Sequence, residues 1–584
     1  MSKSDLAKFA SKANIVDQLH DEVLGQIASR ISQDYQRDLQ SMSEWLRNVN
    51  EAVKIASLTK EPKNSPFQGA ASIKYPLITD ACSAFSSKIY PEIVQDGKVV
   101  KVGVLGTDFS NTKVDRANRV ADFMNWQLLF QTTEWEEGLD KLLSLLPLIG
   151  CVFKKTYYDA DTTYNCSQVC DYKDIVIDAT VPTFKALRRI THVLRNVSLN
   201  SMVSMSRLGV YSEKAVHSII EKCPDTDTMN PMDLLEHHCY LDLDGDHFEE
   251  PYIVTMEKET NNILRIKPRY TEKDIKENKK GVYFIDEEQY FTDYHFLPNP
   301  TGSFLSVGFG TLMLHLNMSI NTILNQLIDS GTLATMQGGY IDSRIKLPTG
   351  SSRHNPGEWI RATPIMGQEL QSGFVPLNYK EPSNVLLQLL GTLIQAGQKL
   401  SGSSDVQTGQ VLPDNAKTGA TNSILERGLE GVNAIQRRFY RSEKNELYKL
   451  FVLNSKYADE KVYFKVLDDN KAVFKDDFNL EDLDISPVAD PNLSSDAQRL
   501  KQIQILQSLK ADPGVDIREI NMRTLSYSRI QEPEKILPEP KGPPPPNPEV
   551  IKLQADMAHE QEKNRQGDVA LKQKQQELDM QQAK

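Results

Sequence analysis

From residue 304 to 328 the chain reads FLSVGFGTLMLHLNMSINTILNQLI, with no Asp, Glu, Lys or Arg. A run this long and uncharged has to be covered on most sides, by lipid, by its own fold or by other chains. Lipid is the poorest cover, because His315, Asn317, Asn321, Asn325 and Gln326 would each need a partner inside a bilayer. No membrane span is expected. Residues 304–336 read instead as roughly one helix of about thirty residues, about 45 Å long at ~1.5 Å per residue. Leu312, Leu316, Ile320, Ile323 and Leu327 make its apolar stripe, and Asn317, Asn321 and Asn325 recur at every fourth position beside it. The amides have two open uses: bonds to packed neighbours, or lining something wet.

A second helix, SNVLLQLLGTLIQAGQKL at 383–400, is apolar nearly all round and asks for more cover than one small domain gives. The segment between the two helices is rich in Gly, Pro and short strand-like pieces, which describes a small β subdomain. After the second helix comes SGSSDVQTGQVLPDNAKTGAT at 401–421, a long, polar and nearly neutral loop, and loops of that length are functional or disordered. A long helix follows to about 453, with Leu425, Leu429, Val432, Phe439, Leu447 and Leu450 inward and Arg437, Arg438, Arg441 and Lys444 exposed.

Ahead of the uncharged helix, residues 1–60 read as helices, with Ile15, Leu19, Val23 and Ile27 four apart and a second pattern through Trp45. Pro76 should open the next helix and Pro91 stop it, and a later helix should break at Pro147 and Gly150. DIVIDA, RITHVLRNV, EEPYIVTMEK, NILRIKPRY and GVYFIDEE then give strands over about 151–294. Near the end, KVYFKVLDD and KAVFKDDF are strand-like, and SSDAQRLKQIQILQSLK is a serine-capped helix. A Pro-rich linker leads to a Gln-rich tail that is either a weak oligomeric helix or disordered. The fold class is α+β.

Composition removes several functions. Lys+Arg 67 against Asp+Glu 79 leaves a net charge of -12, the wrong sign for gripping phosphates. Six scattered cysteines without a CxxC pair suit a reducing compartment, and Cys166 and Cys170 share a strand face as buried thiols. There is no GxxxxGK[ST] and no HExxH. EHHC at 236–239 points its ligands in different directions, and DLDGDHFEE has its Gly245 too early for a calcium loop, so it reads as a hairpin turn. KTG at 417–419 and SRIK at 343–346 mimic penicillin-recognising motifs in unsuitable contexts. No catalytic residue, metal site or cofactor is expected.

The order of these parts resembles that of the portal proteins of tailed bacteriophages. PFQGAASIKYPLITDA, LPLIGCVFKKTYYD and SPVADPNLSSDAQRLKQIQIL carry the resemblance, which covers about residues 40–510. It implies a portal fold with wing, stem, clip and crown regions, closing as a ring-forming homo-oligomer of typically about twelve subunits. N-terminal helices would occupy 1–60, the wing 61–300, the stem helices 301–336 and 381–400, the clip 337–380 and the tunnel loop 401–421. A long helix with wing return strands would fill 422–494, crown helices 495–530, and the linker and tail 531–584, in place of the long helical barrel that some relatives carry. Such a ring sits at one capsid vertex of the virion, after assembly in the host cytoplasm. It passes double-stranded DNA without sequence specificity and docks a large terminase, a head-tail adaptor, and major capsid and scaffold proteins. Ser403, Ser404, Asp405, Gln407 and Lys417 would then lie nearest the DNA, and Asn317, Asn321 and Asn325 would face the channel or the boundary between copies. Arg344, Lys346, Arg353, Arg361 and Lys380 would give the clip a basic surface for an acidic partner. Two other readings stay open: a non-viral oligomeric scaffold, and a metal-dependent nuclease drawing on Asp242, Asp244 and Asp246.

The loop assignment has a direct test. Replacing Asp405 and Gln407 together by Arg adds cations where the passing polyanion would touch, and should slow DNA packaging in vitro while rings still form. Unchanged packaging by the double variant would remove the loop from the DNA path.

Overall fold

The computed structural model describes residues 7–10, 12–63, 67, 69–95, 97–104, 112–159, 163–222, 231–245, 247–279, 283–335, 339–341, 374–376, 379, 381–401, 418–466, 469–479, 483–488, 503–511, 517–528, 536–537 and 548–582. It divides into a unit of residues Met1–Ser494 and a second of Ser495–Lys584. The mixture of helix and antiparallel sheet is that of an α+β protein.

The first unit is entered at Asn14. Its Oδ1 accepts from the N–H groups of Val16 and Ile266, and its Nδ2 donates to the carbonyls of Val210 and Leu264, at 3.1–3.2 Å. Ile15 and Val16 are thereby buried beside the sheet, and helix α1 (Asp21–Ala56) starts only after them. The four-residue spacing of Ile15, Leu19, Val23 and Ile27 therefore does not mark one helix, and Val23 is exposed. At 36 residues α1 is about 54 Å long and spans two cores.

Helix α2 (Leu77–Ile93), strand β1 (Val100–Val104), helix α3 (Thr112–Trp126) and helix α4 (Glu134–Ile149) follow. Pro76 sits at the start of α2 as expected, but Pro91 and Pro147 lie inside the last turns of α2 and α4 and stop neither. A proline so close to a helix end removes only one terminal hydrogen bond, and what closes α4 is Gly150, at φ +93°.

The strand region is β2 (Cys151–Asp159), β3 (Tyr164–Val169), β4 (Ile175–Ile177) and β5 (Ile190–Val197), then helices α5 (Leu199–Arg207) and α6 (Glu213–Lys222). It continues through β6 (Met232–Leu241), β7 (Glu250–Glu257), β8 (Ile263–Pro268), β9 (Ile275–Glu277), β10 (Tyr283–Ile285) and β11 (Phe291–His295). Strands β4-β5-β6-β7-β8 form a five-stranded antiparallel sheet in that order, and β11-β2-β3 a smaller one. EHHC lies in β6, at the centre of the larger sheet. Alternation puts Leu234 against α5 and α6, with Met202, Val216 and Ile219, while Leu235 joins Tyr252, Val254, Phe153 and the first half of α1 on the other face.

Helix α7 (Phe309–Thr335) replaces the expected 304–336 helix, five residues later in its start. Then come the pair β12 (Gly339–Ile341) and β13 (Phe374–Pro376), helix α8 (Asn384–Ser401) and helix α9 (Thr418–Tyr457). Strands β14 (Lys461–Val466) and β15 (Asp469–Phe474) form a hairpin, and β16 (Leu483–Pro487) pairs antiparallel with β1, Val100 opposite Pro487. The second half of α1, with α2, α3, α4, α7 and α9, makes the larger core around Phe85, Leu142, Phe296, Phe309 and Phe439. In the second unit, residues 503–508, α10 (Ile517–Tyr527) and α11 (Pro548–Gln582) are helical, so the tail is a helix, exposed wherever its side chains are described.

Three glycines let the end of α4 and the start of α7 touch backbone to backbone. A Cβ on Gly150 would stand 2.4 Å from the nitrogen of Gly308, one on Gly308 2.5 Å from the carbonyl of Leu148, and one on Gly310 2.3 Å from that same oxygen. Gly310→Ala is therefore expected to destabilise the protein by about 2 kcal/mol or more. Urea melts compare it with Gly391→Ala, whose Cβ meets open space. Equal stability of the two variants would mean that the α4–α7 contact is not close.

Candidate functional site

Asn317, Asn321, Asn325 and Asp329 form a ladder on one stripe of α7. The extended segment that precedes α2 lies along it. Tyr75 is held extended by the proline after it. The N–H of Ala71 donates to Asp329 Oδ1 (2.7 Å), that of Ile73 to Asn325 Oδ1 (2.8 Å), that of Tyr75 to Asn321 Oδ1 (2.7 Å) and that of Ile78 to Asn317 Oδ1 (3.3 Å). In return Asn325 Nδ2 donates to the carbonyl of Ile73 (3.0 Å) and Asn317 Nδ2 to that of Tyr75 (3.2 Å). The match is geometric. Four helical residues rise about 6.0 Å and two extended residues about 6.6 Å, so side chains four apart meet alternate residues of an antiparallel strand.

Asn317 and Asn325 are buried and Asn321 is half-buried. Of the two uses open to these amides, bonds to packed neighbours are the one seen here, and the neighbour is the chain's own backbone. Asp329, a pure acceptor opposite a lone N–H, completes the set. Sequence reading missed it, although the four-residue spacing runs straight on from Asn325. The apolar stripe also differs from expectation: Leu312 is exposed, and Met313 and Leu314 are buried in its place.

Helix α9 is held by polar side chains. Glu446 Oε1 accepts from Trp135 Nε1 (2.9 Å), Lys154 Nζ (2.6 Å) and Ser167 Oγ (2.7 Å), and Oε2 accepts from the Tyr294 hydroxyl. Two turns on, Asn454 exchanges hydrogen bonds with Gln127 and accepts from Asn165. Burial opposes the charge on Glu446, but Lys154 and the donated hydrogen bonds outweigh it and hold its carboxyl below the usual range. The Lys154 and Glu446 side chains are 1% and 2% exposed, so this ion pair is a lock within the fold and no solute reaches it. Arg438, expected on the surface, is half-buried and donates to the carbonyl of Phe296; Arg437, Arg441 and Lys444 are exposed.

One turn from Glu446, Glu443 is buried with no hydrogen-bond partner among the described residues for either carboxyl oxygen. Burial, then the charge on Glu446, push its carboxyl well above the usual range, and Lys154 offsets them only in part.

The other candidate residues divide as follows. His237 Nδ1 bonds the Thr191 hydroxyl (2.8 Å) and His238 Nε2 bonds Glu236 Oε1 (2.8 Å), and burial drives the two rings down to about 3 and about 4. Asp242 accepts from the N–H groups of Gly245 and His247, which makes DLDGDHFEE the hairpin turn between β6 and β7. Cys166 and Cys170 are buried free thiols. Among the described residues no group of His, Cys, Asp or Glu is arranged to hold a metal, and no helix is long and apolar enough to cross a membrane. Ser403, Ser404, Asp405, Gln407 and Lys417, Arg344, Lys346, Arg353, Arg361 and Lys380, and Asp246 lie outside the described residues. No protein-family model matches the chain, and no curated protein matches it.

Glu443 gives the site a pH signature. A carboxyl whose folded pKa stands above its unfolded value contributes stability that is full below about pH 4.5 and is lost as pH rises through the folded value. Gln has no such proton. Glu443→Gln should therefore gain on the unsubstituted protein by up to about 1.4 kcal/mol per pH unit above that point. Urea melts at pH 5.5 and 7.5 measure the gap, and an equal gap at both would mean that Glu443 keeps no extra proton in the fold.

Proposed function

We propose that this chain is the subunit of a phage-type portal ring, in which several copies surround a hollow that conducts double-stranded DNA. One observation carries the reading: α7 and α8 pack antiparallel, yet leave Val385 (71%), Leu387 (59%), Leu400 (58%), Leu312 (47%) and Leu389 (43%) open to solvent. Helices that are uncharged over most of their length and apolar on their outer flank require cover, and further copies of the same pair supply it by a head-to-tail interface that closes as a ring.

In this reading α7 and α8 are the stem, the β12–β13 pair begins and ends the clip, and α9 descends from the tunnel loop. The sheets, α1 to α6 and the β16–β1 pairing form the wing. Gln388, Thr392, Gln395 and Lys399 make an exposed polar stripe on α8, beside the apolar one, and in this reading that stripe lines the wall. The terminase, the adaptor and the capsid and scaffold proteins are the partners the reading implies, with no enzymatic activity of the chain's own.

Electron microscopy of the purified full chain is the test. The expected particle is a ring with a hole wider than duplex DNA, a mass near twelve times 66.0 kDa, and the Gln388–Gln395 stripe facing the hole. A chain that remains single at high concentration would overturn the reading.

A further inference from the structure

A groove of about 1020 Å³ runs between α2 and α4, floored by the end of α1. Its α2 wall is made of small hydroxyls, Ser83, Ser86 and Ser87, and its α4 wall carries Glu136, Glu137 and Asp140. No Lys or Arg lines it. Glu136 accepts from the Tyr90 hydroxyl, while Glu137 and Asp140 are exposed and have no ion-pair partner among the described residues. Acidic residues in a first helical turn are ordinary, because the helix dipole favours them there. That accounts for Glu136 and Glu137, but it accounts neither for Asp140 a turn further on nor for a groove beside all three.

The same unit carries the opposite charge elsewhere. On α9, Arg437 and Arg441 are exposed one turn apart, again with no ion-pair partner among the described residues, and Lys444 extends their face while paired with Asp484. The spacings are close. Glu137 and Asp140, three apart, are separated by about 4.5 Å along their helix axis, and Arg437 and Arg441, four apart, by about 6 Å.

The two surfaces also lie on opposite sides of one helix. Glu92 of α2 holds α9, accepting from Gln436 Nε2 (2.8 Å) and the Tyr440 hydroxyl (2.9 Å). At about 100° per residue, Glu92 stands half a turn round α2 from Ser83, which faces the groove. An acidic groove on one flank and a basic helix face on the other is the arrangement a head-to-tail contact between identical chains requires.

We propose that the α2–α4 groove receives the Arg437 and Arg441 face of α9 from a neighbouring copy of this chain. The proposal rests on the ring reading and names the wing-side contact that would close it. The guanidinium groups enter between the serine wall and the carboxylates, Glu137 and Asp140 each facing one arginine. The bulk of the contact lies with the apolar flanks of α7 and α8, and the charge pairs set which way round and at what height two copies meet.

Charge reversal tests it on the full chain. Glu137→Lys with Asp140→Lys should lower the ring fraction at fixed concentration at least tenfold by mass photometry, and so should Arg437→Glu with Arg441→Glu. All four substitutions together should restore rings, because the pairs are then re-formed with their signs exchanged. Unchanged far-ultraviolet circular dichroism and melting temperature keep misfolding out of the comparison, as all four side chains are on the surface. Rings from both reversed pairs, or no rescue by the fourfold variant, would overturn the groove as the docking surface and leave the ring reading standing. If the unsubstituted chain never forms rings, both fall together.

Discussion

The backbone of residues 71–75 runs extended ahead of α2 with no described strand beside it, and its N–H and C=O groups must still be satisfied where they are buried. Helix α7 satisfies them with side chains. That requirement reaches far into the rest of the unit, because an acceptor at every fourth position reserves one whole stripe of α7 and pushes its apolar residues onto the remaining faces. Met313, Leu314 and Ile320 go to the core, and Leu312 and Met318 are left outside. The ladder also fixes where α2 begins. Through Glu92 α2 holds α9, and through its serine flank it forms one wall of the groove with α4. A displacement of α7 along its axis would have to break four backbone contacts at once.

The attachment of α9 follows a similar logic with charge added. Apolar contacts alone tolerate a helix slipping along its axis, since one methyl replaces another at little cost. Glu446 does not tolerate it: a shift of one residue strips the carboxylate of Trp135, Lys154, Ser167 and Tyr294 and leaves a buried charge alone, a change on the order of 3–5 kcal/mol. Asn454 repeats the constraint two turns later. The helix that follows residues 402–417 is thus fixed in register against β2, β3, β11 and α4, whatever those residues do.

Much of this was legible in the sequence because it is written in short-range periods. The runs of β4, β5, β7, β8 and β10, the separate strands β14 and β15, the uncharged α7 and the apolar α8 all follow from side-chain spacing alone. What failed was set by distant partners. Ile15 keeps a helical spacing with Leu19, but Asn14 is claimed by Val210 and Leu264, some two hundred residues away. β16 and β1, five residues each, stand out by no run of their own in the sequence and exist as strands because they meet. The α7 asparagines gave their period but left two uses open, since a stripe of amides looks the same whether it faces water or a buried backbone. Glu446 offered no signal, being one acid among many until Lys154 is beside it.

On the proposed ring, turning those amides inward has an electrostatic consequence. Every side chain of a subunit is repeated around the axis, so one lysine facing the hollow becomes a belt of positive charge. Each phosphate so neutralised releases counterions and adds salt-dependent affinity, which resists sliding. A wall that has to let a polyanion move is better made from groups that can hydrogen-bond weakly and carry no charge. On α8 that description fits Gln388, Thr392 and Gln395, while Lys399, the first charge after Asn384, comes only at the helix end. Where a charge is buried on α9, at Glu446, it is held firmly by Lys154 within the fold and faces no polyanion.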